Sequence, residues 1–289
     1  MHYEGNIIRP PSEAFSIILQ VTVGCSHNKC TFCGTYKEEP FRIKEDAIIR
    51  EDIEFASQYC RRQKKVFLAD GDVLILPYHR LERLFLQIRN RLPWVKRISL
   101  YGNTKSIRSK SLEELRQLKK LGLNRVYMGL ESGHDQVLAT VKKGYNSEAM
   151  IEAAAKVKAA GLFLSVTVLL GLAGKELSRE HAVATGKVLS RMEPDHIGAL
   201  TLMLLSNTSL YAEAEKGTFI LPDQISLLKE LHDMLANIDV TKTLFYSNHA
   251  SNYLPLECRL PRHKEKALDL IRKAIAGQIS LKPEYLRAL

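Results

Sequence analysis

The segment SIILQVTVGCSHNKCTFCG, residues 16–34, joins a run of apolar residues to a loop that holds three cysteines. The apolar run, residues 16–23, has the Ile, Leu and Val content of a buried β-strand. Cys25, Cys30 and Cys33 follow it directly. Three thiolates gathered in one loop at the carboxyl end of a strand favour a site for a soft metal.

Two kinds of metal centre suit these cysteines. A cubane [4Fe-4S] cluster takes one thiolate on each iron, so three cysteines leave one iron open for another ligand. Zinc is the alternative, because Cys25, His27, Cys30 and Cys33 make up a Cys3His tetrahedral set. The spacing alone leaves both metals open, since short Cys-x2-Cys spacings serve several metals.

Further apolar runs recur along the chain, and a stretch of helical periodicity follows each of them. This alternation indicates βαβ units around a parallel sheet. The predicted strands are residues 16–23, 65–70, 97–101, 125–130, 163–170 and 196–202. Six strand–helix units are fewer than the eight of a closed barrel. We therefore predict an α/β fold, a partial (β/α)6 TIM-like barrel, with its site at the carboxyl ends of the strands.

Helix signals support this reading and extend to the C-terminus. Ser111 and Glu114 form a capping-box pattern, and Gly122 and Gly161 stand where helices end in a left-handed residue. Beyond residue 206 the periodicity becomes mainly helical, over 223–238 and 262–275, around a polar segment that is predicted to be irregular, 246–261. We predict a barrel domain over 1–206 and a mainly helical C-terminal extension over 207–289 that packs on it.

The cysteine loop, with an aromatic residue just before its last cysteine, resembles the signature of the radical S-adenosylmethionine (radical SAM) superfamily. By this resemblance Cys25, Cys30 and Cys33 are ligands of a [4Fe-4S] cluster. The open iron would then bind the amino and carboxylate groups of S-adenosylmethionine (SAM). Phe32 matches the aromatic residue beside the adenine of SAM. The first gap holds four residues here, whereas the commonest pattern of the family has three.

An acidic turn, Asp70-Gly71-Asp72, follows the second predicted strand. It occupies the place where the family usually carries a Gly-Gly-Glu-like segment that binds the amino group of SAM. An ammonium group in a partly dry pocket needs an acceptor, and glycine lets the main chain approach closely. The resemblance therefore assigns this role to Asp72 or Asp70. An ordinary Asp-Gly turn is the alternative.

Two more turns follow the fourth and fifth predicted strands. The segment 129–133, Gly-Leu-Glu-Ser-Gly, is similar to the family's Glu-Ser-Gly segment near the ribose and methionine of SAM, which assigns Glu131 and Ser132 to the cofactor. The alternative is that these two residues cap a helix that begins near His134. Leu170 and Gly171 open a segment that resembles the family's glycine-bearing adenine contact.

The resemblance implies an enzyme. In that family a reduced cluster passes one electron to SAM, whose carbon–sulfur bond breaks to give a 5′-deoxyadenosyl radical that abstracts hydrogen from a substrate. It also implies an electron donor such as flavodoxin or ferredoxin. The sequence assigns no residue that acts on the substrate. The alternative from outside enzymology is a zinc-stabilised module that binds nucleic acid or protein.

Composition limits the partners and the location. The 289 residues contain no run of about 18 uncharged apolar residues, and the N-terminus lacks a secretory signal, which predicts a cytoplasmic protein with no membrane partner. A net charge of +10 favours anionic partners. One hypothesis is that the polar segment 246–253, with Arg259, Arg262 and His263, binds an anionic small-molecule substrate, while an RNA or protein substrate stays open. The alternative is that these residues form only a polar surface loop and a helix N-terminus.

Overall fold

The computed structural model describes residues 1–288. The strands in this range are β1 (Ile17–Gln20), β2 (Thr22–Val23), β3 (Arg42–Ile43), β4 (Lys65–Ala69), β5 (Arg97–Tyr101), β6 (Leu123–Glu131), β7 (Phe163–Leu170), β8 (His196–Thr201), β9 (Thr243–Tyr246) and β10 (Glu257–Leu260). The α-helices are α1 (Asp46–Tyr59), α2 (Tyr78–Arg91), α3 (Thr104–Arg108), α4 (Leu112–Lys120), α5 (Asp135–Thr140), α6 (Ser147–Ala159), α7 (Ser178–Met192), α8 (Ser209–Glu215), α9 (Gln224–Ala236) and α10 (Lys264–Ile275).

The larger of two sheets has eight strands in the order β1-β4-β5-β6-β7-β8-β9-β10, and β2 pairs with β3 in the other. The pairs β1–β4, β4–β5, β5–β6, β7–β8 and β8–β9 are parallel, whereas β10 is antiparallel to β9. Helices lie in the crossovers between the parallel strands, as parallel pairing requires. This topology confirms the predicted α/β fold of the partial-barrel class.

All six predicted strands are present, the first of them divided into β1 and β2. β10 lies in the segment that was predicted to be irregular, so that prediction is wrong there. Its residues alternate between exposed and buried, with Glu257 and Arg259 exposed and Cys258 and Leu260 buried. The two charged residues interrupt the apolar pattern of this strand, although its other face is apolar. Charged residues are common on strands at a sheet edge.

The first of two compact units comprises residues 1–28, 35–128 and 153–164. Its parallel strands bury residues such as Phe67 and Leu100 completely, and α1 and α2 contribute Ile53 and Phe85 to the core. The rings of Phe67, Tyr101 and Tyr127 pack edge to face, with centroids 5.2–6.0 Å apart. Strands β4, β5 and the part of β6 in this unit are therefore held by aromatic as well as apolar contacts.

The second unit comprises residues 29–34, 129–152 and 165–289. Helices α7 and α9 pack closely in it, since a Cβ on Gly186 would lie 2.6 Å from the Met234 carbonyl oxygen. Asn207 Nδ2 donates to the Gly34 carbonyl at 2.9 Å, across 173 positions of sequence. Residues 207–288 form α8, α9 and α10 with two short strands, and the predicted domain boundary at residue 206 stays a prediction.

Helix ends follow the sequence signals. Ser111 and Glu114 make the reciprocal bonds of a capping box at the start of α4. Gly122 and Gly161 have φ of +114° and +72°. These values confirm the prediction that the helices before them end in residues with positive φ, which glycine adopts readily. Among the helices of residues 1–288, none combines the length and the apolar character needed to span a membrane.

Candidate functional site

The cysteine loop begins directly after β2, and its first part belongs to the first unit. A Cβ on Gly71 would lie 3.0 Å from the Cβ of Cys25 and 3.1 Å from the Gly24 carbonyl oxygen, so a glycine lets the turn after β4 approach the loop this closely. Ser26 Oγ donates to Asp72 Oδ2 at 2.6 Å. These contacts fix the main chain on both sides of Cys25.

Cys30 and Cys33 lie in the part of the loop that belongs to the second unit. Thr31, between them, donates its amide to the Val141 carbonyl at 3.0 Å. The Thr31 carbonyl accepts from the amide of Leu210, also at 3.0 Å. The main chain between the two cysteines is thus hydrogen-bonded to the end of α5 and to α8.

Phe32 packs against an apolar cluster of the second unit. The cluster residues are at most 9% exposed and are Val137, Val141, Leu169, Leu172, Leu202 and Leu210. Leu170, the last residue of β7, is also buried. Leu169 and Leu172 flank the predicted Leu170-Gly171 contact, so Phe32 lies beside the turn that follows β7.

The cysteine loop offers three thiols, a kind of ligand that suits a soft metal. No disulfide forms within residues 1–288, and each loop thiol is partly exposed. Burial raises the pKa of Cys258 to about 11 and also raises the pKa of Cys60, although Cys60 is partly exposed. In the described residues no three His, Cys, Asp or Glu side chains are gathered as a metal site. The ligand role of the cysteines therefore stays a prediction from the sequence.

Asp72 is fully buried, and both of its carboxylate oxygens accept hydrogen bonds from other residues of the chain. Besides the bond from Ser26, its Oδ1 accepts from the amide of Asn103, just after β5, at 3.2 Å. Burial raises the pKa of Asp72, and these hydrogen bonds oppose that rise. The carboxylate ties the turn after β4 to the cysteine loop and to the turn after β5.

Asp70 is buried in the same turn. It accepts hydrogen bonds from Gln20 Nε2 at 2.7 Å and from the Tyr36 hydroxyl at 3.2 Å. Burial raises the pKa of Asp70 to about 6. The first unit thus brings Asp70, Gly71 and Asp72 together with Cys25, and the contact of either carboxylate with a cofactor stays a prediction.

Glu131 ends β6 with a φ of +64°. Its Oε1 accepts from Lys143 Nζ at 2.9 Å, and both side chains are partly exposed. A Cβ on Gly129 would lie 2.2 Å from that oxygen, so glycine leaves the room that the ion pair occupies. Helix α5 has His134 at its N-cap, with no capping bond from a side chain. Glu131 therefore does not cap that helix.

Ser132 is buried next to Glu131 and bonds to α7. Its Oγ accepts from the amide of His134 at 3.0 Å and lies 2.8 Å from His181 Nδ1. Burial lowers the pKa of His181 to about 4, so this imidazole is neutral at pH 7. The side chain that bonds Ser132 thus comes from a helix that the sequence motifs do not include.

Glu230, on α9, holds the turn after β7. Its Oε1 accepts from the amide of Gly171 at 2.6 Å, and its Oε2 accepts from Ser178 Oγ. The same Oε1 lies 3.4 Å from His181 Nε2. Burial raises the pKa of Glu230 to about 7. His181 and Glu230 together therefore connect the turns that carry Ser132 and Gly171.

Sequence reasoning missed His181 and Glu230, although the sequence contained a signal for the second. Glu230 stands at helical spacing from Leu227 and Met234, on a face that is otherwise apolar. A carboxylate on such a face is buried at a cost and must find donors. His181 carries no comparable signal.

The chain belongs to the Radical SAM superfamily, since the sequence model of that family matches residues 19–185, more than half of the chain. Members of this superfamily are enzymes, which decides against the zinc-stabilised binding module as its class. Membership also implies a [4Fe-4S] cluster and SAM at the level of the family.

Individual relatives are distant. The heme chaperone HemW of Buchnera aphidicola subsp. Acyrthosiphon pisum is 24% identical over 155 residues, 53% of this chain and 40% of the relative. The tRNA uridine(34) acetyltransferase of Methanocaldococcus infernus is 26% identical over 111 residues, 38% of this chain and 21% of the relative. Each match thus spans less than half the length of the relative.

A solved structure shares the fold. Coproporphyrinogen III oxidase (HemN) from Escherichia coli, a radical SAM enzyme, superposes with a TM-score of 0.56 and 18% identity. The superposition covers 76% of this chain and 51% of that one. At this identity the likeness supports the partial-barrel fold and carries no conclusion about substrate.

Proposed function

We propose that Cys25, Cys30 and Cys33 hold a [4Fe-4S] cluster and that this chain uses the cluster with SAM to abstract hydrogen from a substrate. The observation that carries this proposal is the cysteine loop. Its thiols are partly exposed, and main-chain bonds of Thr31 and the Ser26–Asp72 contact hold the loop. A set of three thiolates suits a cluster that keeps one iron open.

When bound, the cluster and SAM supply a carbon-centred radical by one-electron reductive cleavage of a carbon–sulfur bond. The residues of this chain bind and orient the cofactor. Glu131, whose carboxylate is paired with Lys143, would accept hydrogen bonds from ribose hydroxyls. The Ser132 hydroxyl accepts from the His134 amide and so helps to hold the same turn.

The remaining contacts follow from the other turns. Phe32, which packs against the apolar cluster that includes Leu169 and Leu172, would lie beside the adenine, and Leu170 with Gly171 would contribute the turn after β7 on the same side of the cofactor. In the first unit, Asp70 or Asp72 would accept from the amino group of SAM, and Gly71 lets this turn lie directly against Cys25.

The test is anaerobic purification with iron and sulfide quantitation, an absorption spectrum and an assay for 5′-deoxyadenosine. A brown protein with about four irons per chain, colourless after Cys25→Ala, Cys30→Ala and Cys33→Ala together, is expected. The matched control is Cys60→Ala with Cys258→Ala, which keeps the iron. Stoichiometric zinc without a visible band would overturn the proposal.

We propose an anionic small molecule as the substrate. The loop after β9 runs beside the carboxyl end of β8, because Asn252 bonds to the Ala199 carbonyl and to Thr201 Oγ1, each at 2.8 Å. The net charge of +10 supports an anionic ligand. Unchanged turnover and substrate affinity in Asn248→Ala, His249→Ala and Arg259→Ala would contradict this assignment.

An RNA substrate is the second candidate, and the relative named as a tRNA uridine(34) acetyltransferase favours it. RNA binding that falls steeply with salt, and that competes with no small anion, would replace the first proposal. For either substrate we propose a cytoplasmic enzyme with an electron donor such as flavodoxin or ferredoxin.

A further inference from the structure

We propose that His181 on α7 and Glu230 on α9 are positioning residues that hold the turns after β6 and β7 in the geometry that binds SAM. This inference rests on the proposed function. It concerns residues outside the cysteine loop and outside the turns themselves. The two side chains belong to the second unit, and each is at most 2% exposed.

His181 and Glu230 together reach both turns. His181 Nδ1 lies 2.8 Å from Ser132 Oγ, which in turn accepts from the His134 amide. Glu230 accepts from the Gly171 amide at 2.6 Å. Glu230 therefore bonds a main-chain N–H of one turn directly, and His181 is linked to a main-chain N–H of the other turn through the Ser132 hydroxyl.

The helices that carry these residues pack closely against the turn after β6 and against each other. The Gly133 amide donates to Thr185 Oγ1 of α7 at 2.9 Å. A Cβ on Gly133 would lie 2.6 Å from the Ala184 carbonyl oxygen. Helix α7 therefore contacts the turn after β6 at main-chain distance, and its close approach to α9 at Gly186 extends this rigidity to Glu230.

Packing alone does not explain why a histidine and a glutamate stand at positions 181 and 230. A buried carboxyl group and a buried imidazole are costly to desolvate, and apolar side chains of similar size would fill the same space at lower cost. Polar groups at these positions gain what apolar ones lack, namely hydrogen bonds to the two turns. Loss of either residue should leave a buried N–H or hydroxyl group without its partner and loosen that turn.

The test uses the full chain, anaerobically loaded with iron, with SAM affinity measured by calorimetry and the KM for SAM and kcat by 5′-deoxyadenosine release. His181→Ala and Glu230→Ala should weaken SAM binding roughly tenfold or more, with iron content unchanged. His181→Asn and Glu230→Gln keep an acceptor at the same place and should restore affinity to within about threefold.

A matched control exists in the same unit. His196, at the start of β8, lies with its Nδ1 2.8 Å from Ser165 Oγ, a similar serine–histidine contact that lies toward the amino ends of β7 and β8 and not at the turns. His196→Ala should leave SAM affinity unchanged. Hydrogen exchange of the metal-free protein gives an independent measurement: Glu230→Ala should speed exchange around Gly171, and His181→Ala around His134.

The outcomes separate the two proposals. Failure of the unsubstituted chain to bind iron or SAM overturns the proposed function. If the unsubstituted chain binds both, wild-type SAM affinity in the two alanine variants, or an equal loss in His196→Ala, overturns the positioning role alone. Should an alanine variant fail to fold, Ser178→Ala, which removes only the bond to Glu230 Oε2, is expected to weaken SAM binding about threefold; unchanged affinity there would contradict the inference.

Discussion

The amino and carboxyl ends of the parallel strands both carry buried polar groups, but these groups bond to different partners. At the amino ends, side chains bond side chains: Glu13 accepts from Arg97 and Tyr127, and Ser165 contacts His196. At the carboxyl ends, buried groups such as Asp70 also bond side chains, but others accept from the main chain of turns as well. Asp72 accepts from one such amide and Glu230 from another.

This difference separates stability from ligand geometry. A side-chain pair between strands stabilises the sheet without fixing any loop. A side chain that accepts from a turn amide selects the conformation of that turn, at the end of the sheet where this fold class binds ligands. Substitutions at the two ends should therefore have different consequences, and four predictions test this.

The largest effect on stability is expected at an amino end. The Glu13 side chain is fully buried and receives bonds from Ser16, Tyr127 and Arg97. Glu13→Ala removes one partner of a buried ion pair and should lower the free energy of unfolding by about 3–5 kcal/mol, measured in urea. Iron content and SAM affinity should not change. Loss of SAM affinity at equal iron content would contradict the distinction between the two ends.

The second effect is a pH dependence at a carboxyl end. The pKa of Glu230 is raised by burial from 4.5 to about 7, so its contribution to stability falls as pH rises through that window. The pKa of His181 is lowered by burial from 6.5 to about 4, so its contribution falls as pH decreases through that window. Each shift corresponds to about 3 kcal/mol.

The two contributions oppose each other, so single substitutions should show opposite trends. Relative to the unsubstituted protein, Glu230→Gln should become more stable as pH rises from about 4.5 to about 7. His181→Asn should become less stable as pH rises from about 4 to about 6.5. Urea midpoints at several pH values give the measurement, and parallel curves for both variants would show that neither group is shifted.

A smaller effect is expected at Gly133. Gly133→Ala forces α7 away from the turn after β6 and should cost about 1–3 kcal/mol by overpacking, with weaker SAM binding. The matched control is Gly217, where φ is +71° and nothing lies within 4 Å of an added Cβ. Gly217→Ala should cost roughly 1 kcal/mol of backbone strain and leave SAM affinity intact. Equal SAM losses in the two variants would count against the turn geometry.

The smallest effect is expected on the surface. Arg191 on α7 and Glu148 on α6 form two hydrogen bonds of 2.7 and 2.8 Å, and both side chains are more than half exposed. Glu148→Gln should change neither the urea midpoint nor SAM affinity measurably, because water screens exposed pairs. A clear destabilisation would mean that contacts on α7 far from the turns also matter.

Much of the fold was predictable because it rests on local patterns. The six strands are short apolar runs, and the capping box at Ser111 is written in two residues. β10 escaped prediction because Glu257 and Arg259 break the apolar pattern of an edge strand whose other residues are buried.

The candidate site was predictable where chemistry depends on neighbours in sequence, as in the cysteine loop and the Asp70-Gly71-Asp72 turn. It was not predictable where bonds join distant helices to turns. Ser132 and His181 are 49 positions apart, and Gly171 and Glu230 are 59 apart. No periodicity or short motif encodes such a pairing.

The second unit draws on the beginning, middle and end of the chain, and this has a consequence for biosynthesis. The Gly34 carbonyl pairs with Asn207, which the ribosome adds 173 positions later. At about 5–20 residues per second that interval is roughly 10–35 s. We expect the segment with Cys30 and Cys33 to leave the ribosome well before Asn207. During that interval the segment lacks the hydrogen bond that Asn207 donates in the folded chain. Acquisition of iron should then follow synthesis of the chain rather than accompany it.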